Sequence, residues 1–171
     1  MSNAAEVISR LRDEGATLAT AESISAGRLA ARITDVPGSS AVYAGGVVSY
    51  ATPVKVEVLG VPEDVVAAHG VVSGECARAM AEGVRALLRT SYGVSTTGVA
   101  GPDTQEGKPV GKVFIAVAGA GRTEVAELDL SGDRAEIQRA TVDGALSALL
   151  GRINQEGGRR PVVDPEHPGL G

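Results

Sequence analysis

Three times along this chain an apolar run of strand length ends in a cluster of small and polar residues: TLATAESISAG at 17–27, YAGGVVSYATP at 43–53 and YGVSTTGVAGPD at 92–103. A buried strand that exits through a turn into a helix is the unit of a layered α/β domain with a mostly parallel sheet. The helices can be read between the runs. Ala4, Val7, Ile8 and Leu11 recur at helical spacing and predict a helix ending near Gly15. SAGRLAARIT predicts a short helix packed closely on the sheet and ended by DVPGSS, and residues 52–59 and 62–68 predict two more. Ser73 is placed to cap a longer helix whose stripe is Ala77, Met80, Ala81, Val84, Leu87 and Leu88. KVFIAVAGAGRTEVAELDL at 112–130 predicts a hairpin, which adds an antiparallel element, and a last helix follows over 133–152. One domain is expected over 1–152, with 153–171, rich in Gly, Pro and charge, as a disordered tail.

Composition narrows the function. Hydrophobic residues make up 43% of the 171-residue chain but aromatics only 2%, so the core is built from Ala, Val, Leu and Ile. A net charge of -5, with no Trp, one Phe and three Tyr, offers neither the field nor the stacking platforms that nucleic acid binding uses. Cys76 is the one cysteine and His69 and His167 the two histidines, which leaves no disulfide and no zinc-type ligand set, and no metal is expected. No run approaches the roughly 18 apolar residues that span a bilayer, and the first residues carry charges inside an amphipathic pattern instead of a leader's apolar stretch. No membrane partner and a cytoplasmic location are the expectations.

In sheets of this kind ligands bind beyond the carboxyl ends of the strands. The turn 22–27 places Ser23, Ser25 and Gly27 at the start of a helix, where a serine serves either as a cap or as a nucleophile beside unpaired backbone N–H groups. Both readings stay open on pattern alone. The paired Gly45 and Gly46 leave room for close approach of a ligand or another chain. Neither histidine lies near these turns, so Lys55 is the candidate base, provided that burial keeps it neutral; the alternative is an ordinary surface lysine. Thr97, Gly98, Gly101 and Asp103 form an open polar loop that matches no phosphate-binding signature, and Arg134 is suited either to a phosphate or to a solvated helix face.

Taken in order, TAES at 20–23, DVPGSS at 35–40, GGVVSY at 45–50 with Lys55 following, LGVPEDVVAAHGVVS at 59–73, TGVAGPD at 97–103, KPVGKV at 108–113 and GDR at 132–134 resemble the CinA C-terminal domain family over about residues 5–150. That family includes the stand-alone nicotinamide mononucleotide deamidases called PncC, and the stand-alone form is the expectation here. The resemblance implies a three-layer α/β/α sandwich, a homo-oligomer, no cofactor, and hydrolysis of the nucleotide's carboxamide to acid and ammonia. It implies Ser23 as nucleophile, Lys55 as base, Tyr50 as a group that orients the lysine or relays a proton, Thr97 as a pocket residue and Arg134 on the substrate phosphate. Three positions depart from the family pattern: Ile24, Ala26 in place of a glycine, and Thr52 where an asparagine is usual.

Overall fold

The computed structural model describes residues 3–158. In chain order it runs α1 (Asn3–Glu14), β1 (Leu18–Glu22), α2 (Arg28–Thr34), a 3-10 turn (Ser39–Ala41), β2 (Tyr43–Val48), α3 (Thr52–Glu57), α4 (Glu63–His69), α5 (Gly74–Leu88), β3 (Tyr92–Gly98), β4 (Lys112–Ala118), β5 (Thr123–Asp129) and α6 (Arg134–Gly157). The strands form a single sheet in the order β2-β1-β3-β4-β5. β1 pairs parallel with β2 and with β3, and β4 is antiparallel to both β3 and β5. Four strands therefore point one way and β4 the other.

From β1 the chain moves outward to β2 and then crosses back to β3 on the other side of β1. Crossovers of one hand that run in opposite directions put their helices on opposite faces. Accordingly α2 joins α1 and α6 on one face, and α5 covers β3, β4 and β1 on the other. The reversal opens a crevice between the ends of β1 and β3, the topological switch point at which sheets of this class bind ligands.

Alternation along β1 feeds both layers. Leu18 joins Leu11, Leu29, Ile33, Val94, Ile115, Ile137 and Leu146 in one core, while Ala19 and Ala21 join Leu59, Met80, Val84 and Val99 in the other. With so few aromatics the second layer closes by backbone contact. A Cβ on Gly93 would lie 2.2 Å from the Ala81 carbonyl oxygen, so α5 lies directly on β3. The stripe of α5 is buried at Ala77, Met80, Ala81 and Val84, but Leu87 in its last turn is 49% exposed.

Ser73 caps α5 as expected, its Oγ accepting from the Cys76 N–H at 3.1 Å. Asp133 and Glu136 form a capping box on α6. That helix continues five residues beyond the expected end at 152, because Ile153 is fully buried against α1 and carries the helical pattern on. The expected tail boundary at 153 is thus replaced by a helix to Gly157, and the remainder of that tail, 159–171, lies outside the described residues. No described helix is long and apolar enough to cross a membrane.

Gly83 lies inside α5, where alanine ordinarily stabilises a helix by about 1 kcal/mol over glycine. Here the added methyl would stand 1.9 Å from the Leu59 carbonyl oxygen, which is backbone and cannot swing away. Gly83→Ala is expected to invert the usual sign and destabilise the fold by about 1–3 kcal/mol, read from urea denaturation midpoints at unchanged m-value.

Candidate active site

A cavity of about 480 Å³ opens at the switch point, lined by Ser23 and Ile24 after β1, Tyr50, Thr52 and Lys55 around the start of α3, Val71 and Val72 before α5, residues 97–105 after β3, and Arg134 at the first turn of α6. Ser23 continues the ladder one residue past β1, its N–H donating to the Thr96 carbonyl at 2.9 Å. The chain then coils, and the cap of α2 falls on Gly27, which has a φ of 92° and makes no side-chain cap bond. Ser23 is therefore not the cap. Its hydroxyl is left facing the cavity.

The capping is done from below by a residue the sequence reading passed over. Glu22 ends β1 at 1% exposure, its Oε1 accepting from the Leu29 N–H at 2.8 Å and its Oε2 from the Ala30 N–H at 3.0 Å. Ser25 Oγ donates to the same Oε1 at 2.7 Å and lies 2.6 Å from Thr96 Oγ1. A carboxylate at a helix N-terminus is stabilised by the unpaired amides and their dipole, and here it fixes the turn that carries Ser23. The signal was present in TAES itself, because a buried acidic residue at the end of an apolar strand must find donors.

Lys55 reaches the serine from the opposite wall. Its side chain is 1% exposed, and Nζ lies 3.0 Å from Ser23 Oγ, 2.6 Å from the Ser49 carbonyl oxygen and 3.2 Å from the Tyr50 carbonyl oxygen. Burial disfavours the ammonium and lowers the lysine's pKa from its ordinary 10.5, with Cys76 and Glu106 opposing more weakly. A neutral amine has two hydrogens and one lone pair. As the ammonium, Nζ donates to all three oxygens; in the neutral form the two carbonyls would take the hydrogens and the lone pair would meet the Ser23 hydroxyl, the arrangement of a base beside its nucleophile. The nearby thiol of Cys76 is fully buried, and burial pushes it up to about 11, so it stays protonated and unreactive at neutral pH.

Other expected residues divide sharply. Thr97 borders the cavity at 1% exposure with Oγ1 donating to the Val71 carbonyl at 2.6 Å, and Gly98 and Gly101 line it with their backbones. Arg134 donates to the Gly101 carbonyl at 2.7 Å and to the Tyr50 hydroxyl at 2.9 Å, which places a guanidinium at the rim. Tyr50 thus meets the lysine through its carbonyl only; its hydroxyl belongs to Arg134.

Ser25 and Gly27 do not border the cavity, because the coiled turn directs them under Ser23 and into the start of α2. Gly45 and Gly46 lie along β2, also away from it. The close approach there comes from the protein itself: a Cβ on Gly46 would fall 2.2 Å from Thr20 Oγ1 and 2.7 Å from the Tyr43 hydroxyl. Of the three departures, Ile24 and Thr52 touch the cavity and Ala26, with a φ of 48°, does not. Among the described residues no cluster of three or more His, Cys, Asp or Glu could hold a metal ion.

The motif matches extend to whole-chain comparisons. The CinA C-terminal domain family matches residues 1–153. A CinA-like protein of Frankia casuarinae is 53% identical over 143 residues, covering 84% of this chain and 33% of its own length, so the chain spans about a third of that relative. Among solved structures, a CinA superfamily protein of Klebsiella pneumoniae matches with a TM-score of 0.87 at 30% identity, covering 90% of this chain and 96% of that one. The competence/damage inducible protein CihA of Agrobacterium tumefaciens matches at 0.82 and 34% identity, covering 91% and 98%. With its family profile, its curated relatives and its fold in agreement, the chain belongs to the CinA C-terminal domain family.

Proposed function

We propose that the cavity hydrolyses the carboxamide of a nicotinamide nucleotide, nicotinamide mononucleotide first, releasing ammonia and leaving the nicotinic acid nucleotide. The observation that carries this reading is the buried Lys55 amine 3.0 Å from Ser23 Oγ. Ser23 Oγ attacks the carboxamide carbon while its proton passes to Nζ of Lys55. The tetrahedral oxyanion forms next to the Ile24 N–H, which makes no hydrogen bond within the described residues and is the donor following the nucleophile. Collapse breaks the C–N bond, and Lys55 returns the proton to the leaving nitrogen as ammonia. Water, deprotonated by the same amine, then attacks the acyl-serine ester; the C–O bond to Ser23 breaks, and Lys55 passes the proton to the departing Ser23 Oγ, which frees the acid and restores both side chains. Arg134 at the rim suits the nucleotide phosphate, with Tyr50 fixing the guanidinium. The sequence expectations of a cytoplasmic homo-oligomer that needs no cofactor accompany this proposal.

A second reading, a nucleotide-binding domain without turnover, draws on Ile24 and Thr52, the two departures from the family pattern that border the cavity. Ammonia release separates the two. Purified protein with nicotinamide mononucleotide is expected to release ammonia, and Ser23→Ala to lose at least about 10³-fold in kcat while still binding nucleotide by calorimetry. Lys55→Met should lose about 10²- to 10⁴-fold. Binding without release by the unaltered protein would favour the second reading and remove the first.

The base must be neutral to accept the serine proton, so activity rises with pH through the Lys55 pKa. Since burial lowers that pKa, the acid limb of kcat/KM lies below the ordinary 10.5, and moving the enzyme to lower pH protonates the amine and stops the reaction. Arg134→Ala is expected to raise KM by about 10- to 100-fold, the loss of charge-assisted bonds to a phosphate, with a much smaller change in kcat. Steady-state kinetics across pH measure both.

A further inference from the structure

The loop 101–111 contributes a wall of the cavity, yet nothing in the reaction above uses the residue at its tip. Glu106 and Gly107 turn that tip, both at positive φ (52° and 72°), between the bridged pair Gln105 and Lys108. The left-handed region disfavours a non-glycine residue, so something must hold Glu106 there. The carboxylate does. Its Oε2 accepts from the Val71 N–H at 3.0 Å and its Oε1 from the Val72 N–H at 2.8 Å. Gly70 makes the room: at φ 77°, it has no side chain where a Cβ would fall 2.2 Å from Oε2. Val71 and Val72 are themselves cavity wall, and the Val71 carbonyl holds the Thr97 hydroxyl.

We propose that Glu106 is a positioning residue of this site, its carboxylate clamping the loop wall onto the segment before α5 and so setting the wall of the pocket; the assignment rests on Ser23 and Lys55 as the reacting pair. Among the described residues the ionisable groups around the amine are Cys76 from α5, a neutral thiol, Glu106 from the loop, and Glu22 at the end of β1, whose carboxylate is held by the first amides of α2; on α3 itself Glu57 is exposed. Arg134 and Asp103 border the same cavity, and the Tyr50 hydroxyl is held by Arg134. The Glu106 charge works against burial by favouring the ammonium, so the clamp also adjusts the pH at which the base becomes available.

Glu106→Gln in the full-length chain tests this with two readouts that need no turnover: hydrogen exchange at the Val71 and Val72 amides, and the titration of the Lys55 side chain by NMR. Exchange at both amides should speed by about tenfold or more, the loss of a charge-assisted bond at each, and Lys55 should titrate at lower pH than in the unaltered protein. Kinetics follow: the acid limb of kcat/KM moves to lower pH and KM for nicotinamide mononucleotide rises as the wall loosens. Gly70→Ala, which keeps the charge but evicts the carboxylate, should reproduce the faster exchange and serves if the first variant folds poorly. An unmoved Lys55 titration, or unchanged exchange at the two amides, overturns the proposal. If the unaltered protein releases no ammonia while both NMR changes appear, the deamidase reading fails and the clamp stands.

Discussion

The site depends on one arrangement, a lysine amine taken out of water and given only neutral partners. Had Lys55 met a carboxylate, the pair would have held it charged and the amine would be useless as a base. Its near neighbours are instead two carbonyl oxygens and a hydroxyl. Two carboxylates do stand close to the crevice, and each is occupied elsewhere: Glu22 accepts from the amides that start α2, and Glu106 from the amides that precede α5. Both acids are satisfied by backbone N–H groups, which cannot transfer a proton at ordinary pH. The negative charge therefore shapes the walls and opposes the effect of burial on Lys55 only weakly.

This arrangement follows from the topology. The parallel trio β2-β1-β3 brings the ends of three strands to one edge, and the reversal at β1 leaves a gap there that no crossover helix fills. Ser23 emerges from the central strand of the trio, α3 follows β2, and the Thr97–Gly101 segment leaves β3. The hairpin of β4 and β5 extends the sheet on the far side and gives α5 and α6 the area they need to form two cores. A core nearly free of aromatics tolerates this because glycines at 83 and 93 let α5 approach the Leu59 carbonyl and β3 to backbone distance, replacing bulk with proximity.

Much of this was legible in the chain. The strand runs, the hairpin, the Ser73 cap and the α5 stripe all follow from periodicity and local chemistry, which depend on near neighbours. The motif resemblance pointed to Ser23, Tyr50, Lys55, Thr97 and Arg134, and the structure brings these five to one cavity. What the sequence could not tell was direction. Ser23 and Ser25 are two residues apart in one turn, but the coil after β1 faces the first to the cavity and buries the second on Glu22. Gly45 and Gly46 read as space for a ligand or another chain, yet at Gly46 that space is taken by Thr20 and Tyr43, a fact of register between β1 and β2. The end of α6 was misjudged because Gly and charge beyond 152 outweigh, in composition, the burial of Ile153 that extends the helix.

Burial of Lys55 makes the crevice uneven. The end beside Ser23 is shielded from solvent and disfavours charge, while the Arg134 guanidinium stands at the rim with Tyr50 and the Gly101 carbonyl as its supports. Under the proposed reading, an anionic group stays near the rim, where water and Arg134 both favour it, and the uncharged carboxamide is the end of the substrate that can enter the dry part at low desolvation cost. Protonating Lys55 would remove that distinction by placing a second cation at the inner end, which also attracts the phosphate. Under the same reading a neutral amine would act twice, as the base for the serine and as the reason the substrate binds one way round.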